Sequence, residues 1–265
     1  MGQPQAVTTE PTFVSGFEAR APLTFSSMPE VSVHLFSVEK CLGNLEALSI
    51  LLSESEKTRA AEIGHTNRRN AYIASRGLLR ASLTDASKGI VPADAWAFGT
   101  GPYGKPFVTA PAGMAMRFSL SYTATLIAVA VSPRYELGVD IEAVPGTVSE
   151  VPWQVLTQAE RQFIRTLPAD EQFAEFLNIW TMKEAYTKYL GMGASLDFRK
   201  VEVKTDKDGE AARSLADTRL PDPTVKLRTI EVGWQRIVIA VAGAKPIEGN
   251  FAAPAGEAVS LLRRV

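Results

Sequence analysis

Two stretches of this chain are built to the same plan, and that duplication restricts the available folds more than any other feature. "LSESEKTRA" (52–60) and "LTQAERQFI" (156–164) each hold a Ser/Thr-x-x-Glu box, Ser53/Glu56 and Thr157/Glu160. In such a box the hydroxyl accepts from the third helical amide and the glutamate accepts from the cap amide. Two donors that a helix start would otherwise leave orphaned are satisfied. A strand-like segment precedes each box, "VSVHLF" in one case and "LGVDIE" in the other. A longer helix follows each at equal distance: Arg76 lies 23 residues beyond Ser53, and Trp180 lies 23 beyond Thr157. The chain therefore reads as two related α/β halves joined near 132–136, where Ser132 and Pro133 interrupt the pattern.

Periodicity fills in the rest. It predicts a strand over 31–38, helical segments near 44–63 and 67–84, and a β-like run over 117–131. A further strand is expected in "YELGVDIEAV", then a helix over Thr157–Leu167 stopped by Pro168. A long helix over Asp170–Leu190 is closed by Gly191. "FRKVEVKT", "TVKLRTIEV" and "QRIVIAVAG" alternate like antiparallel strands. Residues 1–30, rich in Pro, Ser, Thr and Gly, are expected to form a loosely ordered extension, and 245–265 a C-terminal tail. The halves are then 31–133 and 134–244.

Composition excludes several classes of function. Lys and Arg number 28 against 29 Asp and Glu, so the basic excess expected of a nucleic-acid binder is missing. One cysteine, Cys41, rules out a disulfide framework and a cysteine-rich zinc site, and it reads as a small buried hydrophobe. Two histidines, His34 and His65, provide poorly for a Ser/His/Asp triad or a histidine metal site. No apolar run approaches the roughly 20 residues that span a bilayer. "MGQPQAVTTEPT" lacks a signal-peptide profile, so the expectation is a cytoplasmic protein without a membrane segment.

Chemistry is suggested in a few places. In "LGVDIEAV", Val139 and Ile141 should face one side of a strand and Asp140 and Glu142 the other. Carboxylates at i and i+2 have Cα atoms roughly 6.5–7 Å apart, close enough to reach one ion. An all-oxygen site would favour a hard cation such as Mg2+, although the pair could equally be solvent-facing. In "WTMKEAYTKYLGMG" (180–193) a stripe through Phe173, Leu177 and Trp180 continues into Glu184 and Lys188. Those two could be a plain surface ion pair, but that reading accounts less well for Trp180 one turn earlier. Lys105 in "YGKP", the arginines 68, 69, 76 and 80, and Ser121 to Thr123 in "FSLSYT" could all meet phosphate. Each has a plainer reading as a solvated or cross-strand side chain.

Taken in order, "RGLLR", "YGKP", "FSLSYT", "GVDIE" and "WTMKEA" resemble the 4′-phosphopantetheinyl transferases of the longer, two-halved Sfp-like type, over most of residues 52–195. The resemblance implies an α+β fold of two pseudo-symmetric α/β halves, each a small antiparallel sheet packed with a long helix. It implies a monomer that moves 4′-phosphopantetheine from coenzyme A to a serine of an acyl or peptidyl carrier protein, with Mg2+ and coenzyme A between the halves. It assigns Asp140, Glu142 and Glu184 to the metal, with Glu184 also as base, and Lys188 to the pantetheine-side phosphate and leaving group. Lys105, Ser121 and Lys183 become coenzyme A contacts. The chain departs from the family pattern at Ser119 (usually Asn), Tyr122 (usually His) and Ala71 (commonly Arg). Tyr122 brings a hydrogen-bond donor without positive charge, which leaves Arg68 or Arg69 to hold the 3′-phosphate. A carrier-protein or coenzyme A binding module of the same fold, and a Mg2+-dependent phosphohydrolase, are the competing expectations.

Overall fold

The computed structural model describes residues 23–24, 31–146, 149–205, 211–215, 224–232 and 235–243. The expected N-terminal extension, apart from a two-residue strand, and the tail lie outside them. Helices α1 (Val38–Cys41), α2 (Leu45–Ile50), α3 (Glu54–Glu62) and α4 (Thr66–Ala86) belong to the first part of the chain, α5 (Gln158–Arg165) and α6 (Ala169–Leu190) to the second. The strands are β1 (Leu23–Thr24), β2 (Ser32–Ser37), β3 (Ala97–Thr100), β4 (Pro106–Ala110), β5 (Arg117–Tyr122), β6 (Leu126–Ser132), β7 (Leu137–Ala143), β8 (Val201–Thr205), β9 (Ala211–Leu215), β10 (Thr224–Val232) and β11 (Gln235–Gly243).

The two principal sheets are antiparallel and share one plan. In β1-β2-β6-β5 the strand before the capping box pairs with the last strand of its half, which pairs with the one before it. β7-β11-β10 repeats that order. Both capping boxes are formed, at Ser53 and at Thr157. Two expected segments are divided. The single helix near 44–63 breaks because Ser53, as a cap, starts a new helix. The run 117–131 folds back at Thr123, whose Oγ1 accepts from the amides of Thr125 (3.2 Å) and Leu126 (3.0 Å).

Three apolar clusters stack the layers helix, sheet, sheet, helix. α4 covers Phe36, Ile127, Val129 and Val131 of the first sheet. The opposite face, Val33, Leu35, Ala128 and Ala130, meets Leu137, Val139, Ile141, Ile237, Ile239 and Val241 of the second sheet. α6 covers Val238, Ala240 and Ala242. Apolar residues on both faces of β6 and β11 follow from this, since each is buried on two sides. β5 and β7 are end strands of their sheets, and they meet through side chains rather than a ladder. The amide of Val139 donates to Ser119 Oγ (2.9 Å) and that of Ile141 to Ser121 Oγ (3.4 Å). Two edge amides thus find partners in hydroxyls.

Candidate active site

Gly138 decides where α6 can lie. A Cβ there would stand 2.0 Å from the carbonyl oxygen of Ala185 and 2.4 Å from the amide nitrogen of Tyr189, so the helix backbone rests directly on β7. With Leu137, Val139 and Ile141 turned to the other sheet, the intervening residues Asp140 and Glu142 point toward α6. The helix answers with Trp180, Glu184 and Lys188, a half-buried stripe that runs past the mostly buried stretch 176–187. Lys188 Nζ donates to Asp140 Oδ1 at 2.6 Å, and Trp180 Nε1 donates to Glu142 Oε1 at 3.0 Å. Phe176 and Phe198 flank the indole at 6.2 and 5.1 Å between ring centres.

Asp140, Glu142, Trp180 and Glu184 open onto a cleft of about 630 Å3 between the two parts of the chain. Asp140, Glu142 and Glu184 supply its acidic wall; Ser121, Tyr122 and Arg68, from the first part of the chain, also line it. Ser121 Oγ donates to Asp140 Oδ1 at 2.8 Å, so the sheet junction also fixes the carboxylate. Asp140 Oδ2 is buried with no partner. Burial raises the carboxyl groups of Glu142 and Glu184 above the usual range, and the negative charge of Asp140 adds to the effect in both.

Such a donor set fits a hard divalent cation: oxygen ligands only, one of them buried and unpaired, and two whose ionised form is disfavoured by burial and by a neighbour of like charge. As it stands, however, no group of three or more Asp, Glu, His or Cys side chains among the described residues is gathered to hold an ion. Lys188 occupies one of the oxygens such an ion would use.

Three expected coenzyme A contacts are not brought to the cleft. Lys183 is 1% exposed and spends its donors on Glu160 Oε2 (2.6 Å), the Val155 carbonyl (3.2 Å) and the Phe198 carbonyl (2.9 Å). It anchors the capping box, with no N–H left for a phosphate. Lys105 donates to Glu136 Oε2 (2.8 Å) and to the carbonyls of Leu137 (3.4 Å) and Tyr189 (3.0 Å). It pins the β3–β4 hairpin to the end of α6, where a cation meets orphaned carbonyls. Arg69 Nη1 donates to the Ile63 carbonyl (3.4 Å) and does not line the cleft. Ala71 is fully buried in the cleft wall beside Ile63 and Arg68.

Two contacts escaped the sequence. Trp180 gripping Glu142 was signalled only by an indole placed one turn before Glu184. The Glu160–Lys183 pair has a counterpart in Glu56–Arg80 (2.8 Å), the same box gripped by a cation from the same point of the long helix. The near-equal spacing, 24 residues in one half and 23 in the other, could have revealed it.

The model of the 4′-phosphopantetheinyl transferase superfamily matches residues 136–242, the part that carries β7, α6 and the acidic wall. Over those residues the chain is similar to that superfamily. Among curated relatives, a 4′-phosphopantetheinyl transferase of Bacillus subtilis is 27% identical over 205 residues, 77% of this chain and 87% of that protein. One from Paxillus involutus is 35% identical over 46% of this chain and 56% of its own length. HetI of Nostoc is 29% identical over 61% and 69%.

Proposed function

We propose that the protein transfers 4′-phosphopantetheine from coenzyme A to a serine hydroxyl of an acyl or peptidyl carrier protein, in a Mg2+-dependent reaction, with residues 31–133 and 134–244 as its two halves. The observation that carries this reading is the meeting of Asp140 and Glu142 from a strand with Glu184 from a distant helix in one cleft, with a buried carboxylate oxygen left unpaired. Asp140, Glu142 and Glu184 would hold the metal, which neutralises phosphate charge when bound. Glu184, its carboxyl raised by burial and by Asp140, takes the serine proton. The serine oxygen forms its bond to the β-phosphorus as the bond from that phosphorus to the adenosine bisphosphate oxygen breaks. Lys188 stabilises the charge that develops on the leaving phosphate. Tyr122 and Arg68 offer a hydrogen bond and one positive charge to the nucleotide end, while the Ser121 hydroxyl stays on Asp140.

The test is mass spectrometry of apo carrier proteins incubated with coenzyme A, Mg2+ and the protein. Gain of one phosphopantetheine on a serine is expected, lost in Asp140→Asn and in Glu184→Gln. Full labelling by both folded variants would remove the site assignment. Release of pantetheine phosphate without any labelled serine would favour a phosphohydrolase.

A further inference from the structure

We infer that Lys188 serves as a built-in counter-ion for Asp140, released when phosphate binds, so that one side chain couples the anion to the divalent cation. The inference rests on the proposed function for the identity of that anion. Lys105 and Lys183 are each held by three acceptors. Lys188 differs: its ammonium has a single acceptor among the described residues, Asp140 Oδ1 at 2.6 Å, and its side chain is 28% exposed.

Asp140 is the most buried of the three acids, and its carboxylate is divided unequally. Oδ1 takes both Lys188 and Ser121, while Oδ2 has no partner. The ammonium therefore supplies the positive charge that the buried carboxylate requires. It also keeps the acids from assembling around an ion, in keeping with the lack of any ready metal cluster among the described residues. A metal approaching this site meets a like charge a few ångströms away, which opposes its binding. A phosphate entering the cleft offers the ammonium a second anion. As Lys188 turns to it, Asp140 keeps only Ser121 on Oδ1 and an unpartnered Oδ2 beside Glu142 and Glu184. Metal alone should then bind weakly, and metal with donor strongly. No covalent step is involved.

The test is Mn2+ binding to the full chain, followed by electron paramagnetic resonance, without and with coenzyme A. Lys188→Met and Lys188→Gln should each bind Mn2+ alone about tenfold more tightly than the parent, the size of effect expected for removing a partly screened neighbouring charge. Both variants should also gain less affinity on adding coenzyme A. Variants with parental melting temperatures that bind Mn2+ alone no more tightly than the parent would overturn the inference. The carrier-protein assay on the parent is read separately. Loss of the transferase reading would leave the Mn2+ comparison intact, and the converse holds.

Discussion

Lys183 and Glu184 are chain neighbours with opposite surroundings. Lys183 points into the packed space between α5, α6 and β8, where Glu160 also accepts from the amides of Thr157 (2.8 Å) and Val203 (3.0 Å). Burial lowers the lysine's pKa, and Glu160 acts against that shift. Replacing Lys183 by Met leaves a buried glutamate without its cation, a change that costs about 3–5 kcal/mol. The expected result is a large drop in the urea midpoint with an unchanged KM for coenzyme A in the folded fraction. A raised KM with normal stability would return Lys183 to the phosphate. Trp180→Phe keeps the ring stack on Phe176 and Phe198 and removes only the N–H to Glu142. Because that hydrogen bond favours the charged carboxylate, Glu142 should titrate still higher in the variant. Carboxyl-selective NMR would show it, and an unmoved Glu142 would deny the indole any part in setting the site.

At the scale of elements, the position of α6 on β7 depends on a missing side chain. Gly138→Ala would drive a methyl into the helix backbone at Ala185 and Tyr189, which cannot yield as a flexible side chain could. A loss of at least about 3 kcal/mol is expected from such overpacking, together with displacement of Glu184 from Asp140. Chemical denaturation and the labelling assay would register both, and parental values in each would mean that the two backbones can separate freely. Both capping boxes, the long helices and the acid face of β7 were legible because their signals are local: a hydroxyl three residues before a glutamate, a 3.6-residue stripe, an alternation of two. The junction of β5 with β7 was not legible. Ser119 and Ser121 look like ordinary strand serines until a second strand, distant in sequence, presents amides to them. The acceptors that hold Lys105 and Lys183 were hidden for the same reason. A motif fixes which cation is present, whereas its acceptors come from segments up to 84 residues away.

For the whole molecule, the stacked layers leave little room for a charge in the middle, and His34 is the place where pH can probe them. It lies on β2 opposite Val129, 2% exposed, stacked on Phe36, with Nδ1 unpartnered. Burial lowers its pKa from 6.5 to about 4. Between those values the unfolded chain binds the proton and the folded one does not, so the contribution of His34 is fully present above pH 6.5 and is lost as pH falls toward 4. The full loss is about 3 kcal/mol. Glu142 and Glu184 act in the opposite sense. Their raised folded pKa values make the folded state bind protons first, so their protonation regains stability as the medium is acidified. The parent's net curve mixes the two effects, and the informative quantity is its difference from His34→Phe measured under identical conditions. That difference should be flat above pH 6.5 and should favour the variant increasingly toward pH 4, by roughly a hundredfold in the folding equilibrium. A difference independent of pH would mean that the imidazole finds a proton acceptor on acidification, and that the layers part more readily than their packing implies.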